Sequence, residues 1–139
     1  MTSSVTTTPA YAEVNRPDIV AEVHAAFQRY ERALAAADVD TLNELFWDSP
    51  LATRFGLSDR QHGAAEIRRW RREHPGVPAG RRLYDTRVLT IDDRTAMVTT
   101  LFDYPNRPVE GRQTQLWIRF APGWRIVSAH VSEVPASAT

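Results

Sequence analysis

Cysteine and lysine are both missing from these 139 residues. Without a thiol there is no thiolate nucleophile, no disulfide and no Cys-ligated zinc. Without a lysine amine there is no Schiff-base chemistry. Net charge is missing too: 17 basic residues, all arginine, balance 17 acidic ones. No bulk field therefore draws in nucleic acid or an anionic membrane. No apolar run reaches the roughly 18 residues a membrane-spanning helix needs. The opening MTSSVTTTPAYAEV has neither the basic start nor the apolar stretch of a secretion signal. The expected setting is cytoplasmic, with neither a nucleic acid nor a membrane as partner. His24, His62, His74 and His130 show no HxH or HExxH spacing, so no metal is expected. Phosphate-binding glycine loops and the GxSxG nucleophile turn are absent as well.

What remains is ordinary for one globular domain: 42% hydrophobic and 24% charged residues. A Ser/Thr-rich stretch over 1–14 reads as a disordered leader, 15–135 as the folded domain, and 136–139 as a frayed tail. In NRPDIVAEVHAAFQRYERALAAAD, residues Val20, Val23, Phe27, Tyr30 and Leu34 recur at helical spacing. Pro17 and Asp18 suit the first turn. Asp38 caps a second helix, VDTLNELFW, which Pro50 ends. A short extended piece around Arg54 follows. HGAAEIRRWRREHP then forms a third helix, with Ala64, Ile67 and Trp70 on one side and its charges on the other. Beyond the Pro/Gly stretch at 75–80 the period shortens to two. RRLYDTRVLTI, RTAMVTTLFDY, GRQTQLWIRFA and GWRIVSAHVS are strand-like, joined by turns too short for anything but antiparallel neighbours. Helices first and a strand meander after give an α+β domain with helices on one face of the sheet.

That order resembles the NTF2-like, or cystatin-like, α+β cone: three N-terminal helices on a strongly curved antiparallel sheet. More narrowly, LFW, RFG, GRQTQLW and GWRIVSAHVS together resemble the AtzH-like (DUF3225) family, from about Asn15 to Ser132. The resemblance implies a cofactor-free, decarboxylating amidohydrolase. Its substrate would be a small carboxylated ureide of the 1,3-dicarboxyurea type, in cyanuric-acid or ureide nitrogen catabolism. Two other classes stay open. One is a non-catalytic ligand-binding or assembly partner of an amidase. The other is a cone-fold isomerase or dehydratase using a carboxylate base such as Asp103.

The candidate residues follow. Tyr30 sits on an apolar stripe, where a core aromatic is the plain alternative. Its phenol, with a pKa of about 10 unaided, needs a neighbouring cation to act in proton transfer. Arg54 offers a planar fork suited to a carboxylate, although strand alternation also fits a solvated arginine. The family places an arginine and a tyrosine at these two positions, and the resemblance implies that both are catalytic. Gln113, Gln115 and Trp117 share one strand face and are expected to line the cone and bind substrate. Leu116, Ile118 and Phe120 form the opposite face, expected to join two subunits of a homodimer. Trp70 and His62 are placed at the mouth. His130 is either a substrate-binding group or an interface histidine. His62 and His74 stand where the family pattern has Tyr–Gly and Arg–Pro, which bears on the exact substrate.

Overall fold

Helix α2, Pro17–Ala36, begins with a proline in its first turn, where a missing N–H costs nothing, and with Asp18 at the positive end of the helix. The computed structural model, which describes residues 10–137, buries Ile19, Val23, Phe27, Tyr30, Ala33 and Leu34 from this helix. Ile19 takes the place expected of Val20, which is only half-buried. Ala37 adopts a left-handed conformation (φ 55°) and ends the helix. Asp38 then accepts a hydrogen bond from the Thr41 N–H and starts α3, Val39–Leu45. α3 stops before the expected Trp47. Phe46 turns extended and bridges to Ile126, and the Trp47 N–H donates to the Ile126 carbonyl at 2.9 Å. Pairing with the sheet competes with another helical turn and prevails.

One helical turn, α1 at Ala10–Glu13, lies where the reading of the sequence has its leader; residues 1–9 of that leader and 138–139 of the expected tail lie outside the described residues. The domain is anchored at Asn15, whose N–H and side-chain oxygen pair with the Thr90 backbone at 2.9 Å.

Strands β1 (Thr53–Phe55) and β2 (Arg60–His62) form a small hairpin before helix α4, Ala64–Glu73. The four expected strands follow as β3 (Arg82–Thr90), β4 (Thr95–Tyr104), β5 (Arg107–Phe120) and β6 (Gly123–Pro135). They build one six-stranded sheet in the order β2-β1-β6-β5-β4-β3. All neighbours are antiparallel except β1 and β6. Register shifts at Tyr84/Arg87, Phe102/Tyr104 and Leu116/Trp117 bend the sheet, which curves without closing. The helices cover its concave face. No helix among the described residues is long and apolar enough to cross a membrane.

The inner face changes character along the strands. At one end Ala96, Trp117 and Ile126 meet Val23, Phe27 and Leu42 in the dry core. Toward the other end the same rows become Thr100, Gln113, Gln115, Val131 and Glu133. There the core gives way to a cavity. Gly111 helps to shape it: a Cβ there would sit 2.2 Å from the Phe102 ring, so only glycine lets that ring lie against the strand.

Candidate functional site

The cavity encloses about 470 Å³, within the usual range for small-molecule sites. Tyr30 and Leu34 of α2, Trp70 and Arg71 of α4, and Arg54 of β1 wall one side. Phe102, Tyr104, Gln113, Gln115, Ala129 and Val131 of the sheet wall the other.

Tyr30 reaches the cavity because it is the last aromatic on α2's buried stripe. Its ring packs edge-on against Phe46 with 6.2 Å between centroids. Its hydroxyl oxygen accepts a hydrogen bond from Arg71 Nη2 at 3.3 Å. A phenol has one proton to donate, and among the described residues no acceptor takes it.

Arg54 is buried, with 9% of its surface exposed. Its strand neighbours Thr53 and Phe55 point the other way, as alternation requires. Arg54 Nη1 donates to Asp59 Oδ2 at 2.7 Å and to Gln61 Oε1 at 2.9 Å. The guanidinium lies 4.0 Å from the centre of the Trp70 ring, whose indole also stacks on His74 at 4.6 Å. Arg54 therefore does hold a carboxylate, but that carboxylate is the protein's own. Burial lowers the Arg54 pKa, and the like charge of Arg71 lowers it further, against the opposing pull of Tyr30 and Asp59. Burial would raise the Asp59 pKa, but hydrogen bonds from Gln61 and Arg54 hold it below its ordinary value.

A second cluster lies on the far side. Arg81 Nε donates to Glu31 Oε1 at 3.0 Å, and Arg81 Nη2 donates to Gln113 Oε1 at 3.0 Å. Gln113 Nε2 closes the loop on Glu31 Oε2 at 3.2 Å. Burial works against the Arg81 charge, yet Glu31 keeps its pKa raised. Arg107 and Glu133 form a further ion pair at the rim.

Tyr30, Arg54, Trp70, Gln113 and Gln115 thus line one cavity, as expected from the sequence. Two other expectations need correction, those for Trp117 and His62; for His130 the sequence leaves two readings open. Trp117 is fully buried and lies behind Gln115, to whose Oε1 its Nε1 donates at 3.1 Å. It fixes the amide and does not line the cavity. His130 pairs in register with Thr114 and Phe55, on the sheet face opposite Gln113 and Gln115. It is exposed and edge-on to Phe55 at 5.5 Å, so it reaches only the rim. His62 is likewise exposed beside Phe55 and takes no part in the lining. Gln113 lines the cavity, but its amide is spent on Arg81 and Glu31. Asp103 is ion-paired to Arg82 outside the cavity.

Sequence reasoning missed Arg71, Asp59, Glu31 and Arg81. Arg71 left a signal: Ala64, Ile67 and Arg71 step by three and four, so an arginine completes the apolar stripe of α4. Arg81 left none, because it follows a Pro/Gly loop and meets Glu31 across 50 residues of chain. Among the described residues no cluster of His, Asp or Glu is arranged to hold a metal.

A family profile described as AtzH-like matches residues 12–137. A cystatin-like fold protein from Burkholderia xenovorans is 46% identical, with 90% of this chain and 98% of that one covered and a TM-score of 0.87. A protein of unknown function from the DUF3225 family of Pectobacterium atrosepticum is 40% identical, with coverage of 88% and 96% and a TM-score of 0.85. An NTF2-like protein from Streptomyces avermitilis, proposed to be a dehydratase, shares the fold at 22% identity and a TM-score of 0.72, with coverage of 87% and 100%. Among curated proteins, none matches the sequence.

Proposed function

The chain belongs to the AtzH-like family, and on that premise we propose that it is a cofactor-free decarboxylating amidohydrolase of a small carboxylated urea such as 1,3-dicarboxyurea. The observation that carries this reading is the Tyr30 hydroxyl. It faces the cavity with Arg71 donating to its oxygen and its own proton unspent. In the proposed reaction the bond between a carboxyl carbon and a urea nitrogen breaks. The nitrogen gains a proton, and the carboxyl carbon leaves as carbon dioxide, with allophanate as the other product. Tyr30 gives that proton and recovers one from water, the hydroxide left behind taking up the carbon dioxide as bicarbonate, while Arg71 and Arg54 stabilise the phenolate formed in between. Gln115, held by Trp117, presents its amide N–H groups to the ureide carbonyl. A dry, donor-lined pocket strengthens each of these interactions.

The isomerase or dehydratase reading calls for a carboxylate base inside the cavity. The two carboxylates lining this cavity, Asp59 and Glu133, are both engaged by arginines. The proposal includes a homodimer joined through the outer sheet face, where Met97 and Leu116 sit opposite each other and exposed.

The test is to mix the purified protein alone with freshly generated 1,3-dicarboxyurea and follow allophanate and carbon dioxide against the spontaneous rate. Acceleration that Tyr30→Phe loses supports the enzyme. Absence of acceleration overturns the reading for this substrate and favours an assembly partner of an amidase.

A further inference from the structure

The charges around the cavity pair off with one left over. Arg54 has Asp59, Arg81 has Glu31, and Arg107 has Glu133. Arg71 has no carboxylate partner among the described residues. It is 3% exposed, its one hydrogen bond among the described residues is to the Tyr30 hydroxyl, and it lies 5.1 Å from the centre of the Trp70 ring. A buried cation without a counter-ion is costly, and such charges are kept only with a partner or for a purpose. Nothing in the packing of α4 demands one: Ala64 and Ile67 fill the same stripe with apolar side chains.

The other free groups facing the same space have one sense. Tyr30 has an unspent proton. Gln115 has its oxygen occupied by Trp117 and its N–H groups unspent. The unpaired polar groups at this end are therefore donors, and the carboxylate there, Asp59, is already held by Arg54 and Gln61.

We infer that Arg71, not Arg54, receives the ligand's carboxylate, and that this end of the cavity selects compounds bearing one carboxylate beside a carbonyl oxygen. Arg71 supplies the charge-assisted bonds, and Gln115 with the free edge of Arg54 meets the carbonyl. A neutral urea could offer its carbonyl to Gln115 but would leave Arg71 without a counter-ion. The ligand's carboxylate then sits beside the Tyr30 hydroxyl, because Arg71 touches both. This assignment rests on the proposed reading of the site, but it concerns binding and is tested without turnover.

The experiment compares melting curves and calorimetric titrations of the full chain, wild type, Arg71→Met and Arg71→Lys. The probes are oxamate, which has one carboxylate beside a carbonyl, and biuret, which has none. Wild type should bind oxamate and melt higher with it, and should ignore biuret. Without ligand, Arg71→Met should melt no lower than wild type, because it removes an unpaired buried charge. Its affinity for oxamate should fall about 30-fold, the loss of one charge-assisted pair. Arg71→Lys keeps the charge without the fork and should bind at an intermediate level. Retention of wild-type oxamate affinity by Arg71→Met overturns the inference, as does wild-type indifference to oxamate. If Arg71→Met fails to fold, Arg71→Lys decides: undiminished affinity overturns the assignment of the fork, and reduced affinity supports it. Turnover of dicarboxyurea by a protein that ignores oxamate would sink this inference and leave the proposed activity standing. Oxamate binding lost with Arg71, in a protein that turns nothing over, would do the reverse.

Discussion

Two arginines face each other across one cavity in opposite circumstances. Arg81 is 8% exposed at its side chain, and Glu31 and Gln113 occupy its fork in a closed loop of hydrogen bonds. Arg71 is as deeply buried, yet its only hydrogen bond among the described residues goes to a phenol, beside an indole face. The first arrangement is complete without a ligand, so its role is to hold α2 against β5 and the loop before β3. The second is incomplete, and the incompleteness marks where a ligand's charge belongs. Burial alone does not separate structural arginines from functional ones. Whether the charge is already matched does.

The largest effect should come from unmatching the closed end. Glu31→Gln removes the carboxylate and leaves Arg81 buried beside two amides. Breaking a buried pair from one side costs about 3–5 kcal/mol, so denaturant melts should show a loss of that order. A loss below about 1 kcal/mol would mean that Arg81 escapes to water and that the two ends are not different in kind.

Next comes Tyr30→Phe. The variant keeps the ring that packs on Phe46 and deletes the proton donor. Turnover of a carboxylated ureide should fall about 100-fold, in the range of lost general-acid catalysis. Stability should fall by no more than about 1.5–3 kcal/mol, the worth of one hydrogen bond from a charged donor. Undiminished turnover by the variant would make Tyr30 a core residue and nothing more.

These two residues also show how far the sequence could be read. Tyr30 was legible because the 3-4 spacing of α2 sets which face is buried, and the four long strands were legible from their period of two. The interior of the site was harder. Glu31 is adjacent to Tyr30 in sequence and flanks the buried stripe, but its partner sits in a loop that no periodicity describes. Arg71 sits on a periodic stripe, but in the sequence an arginine beside Arg68, Arg69 and Arg72 reads as part of a solvated face. Alternation correctly turned Arg54 away from Thr53 and Phe55, but it could not show Asp59 waiting for it across a β-hairpin.

Asp59→Asn probes the intermediate case, a matched arginine next to the unmatched one. Asp59 has a folded pKa below its ordinary 3.8. A depressed acid stabilises the fold above its unfolded pKa, and that contribution fades as pH falls through the folded value. Wild type should therefore lose this contribution progressively below about pH 4. Asp59→Asn should be less stable than wild type near neutrality, with the difference shrinking in acid. Parallel stability curves across that range would show that the Arg54–Asp59 pair contributes nothing to the fold.

The smallest expected effect concerns the group that sets the donor sense of the open end. Trp117 donates to Gln115 and so decides which face of that amide meets the cavity. Trp117→Phe keeps an aromatic ring in the core and removes only the indole N–H and some volume. Stability should drop by about 1–2 kcal/mol, from one lost hydrogen bond and a small cavity. The amide of Gln115 is then free to turn, and its oxygen can take a donor from the Tyr30 side. Carboxylate affinity should fall about threefold to tenfold while discrimination against neutral ureas narrows, because the wall would offer an acceptor as well as donors. If affinity falls for both probes in the same proportion, Trp117 supports the pocket only by packing, and Gln115 takes its orientation from elsewhere. If the selectivity narrows, a residue with no surface in the cavity sets what the cavity accepts, and the contrast between matched and unmatched ends extends to the amides behind them.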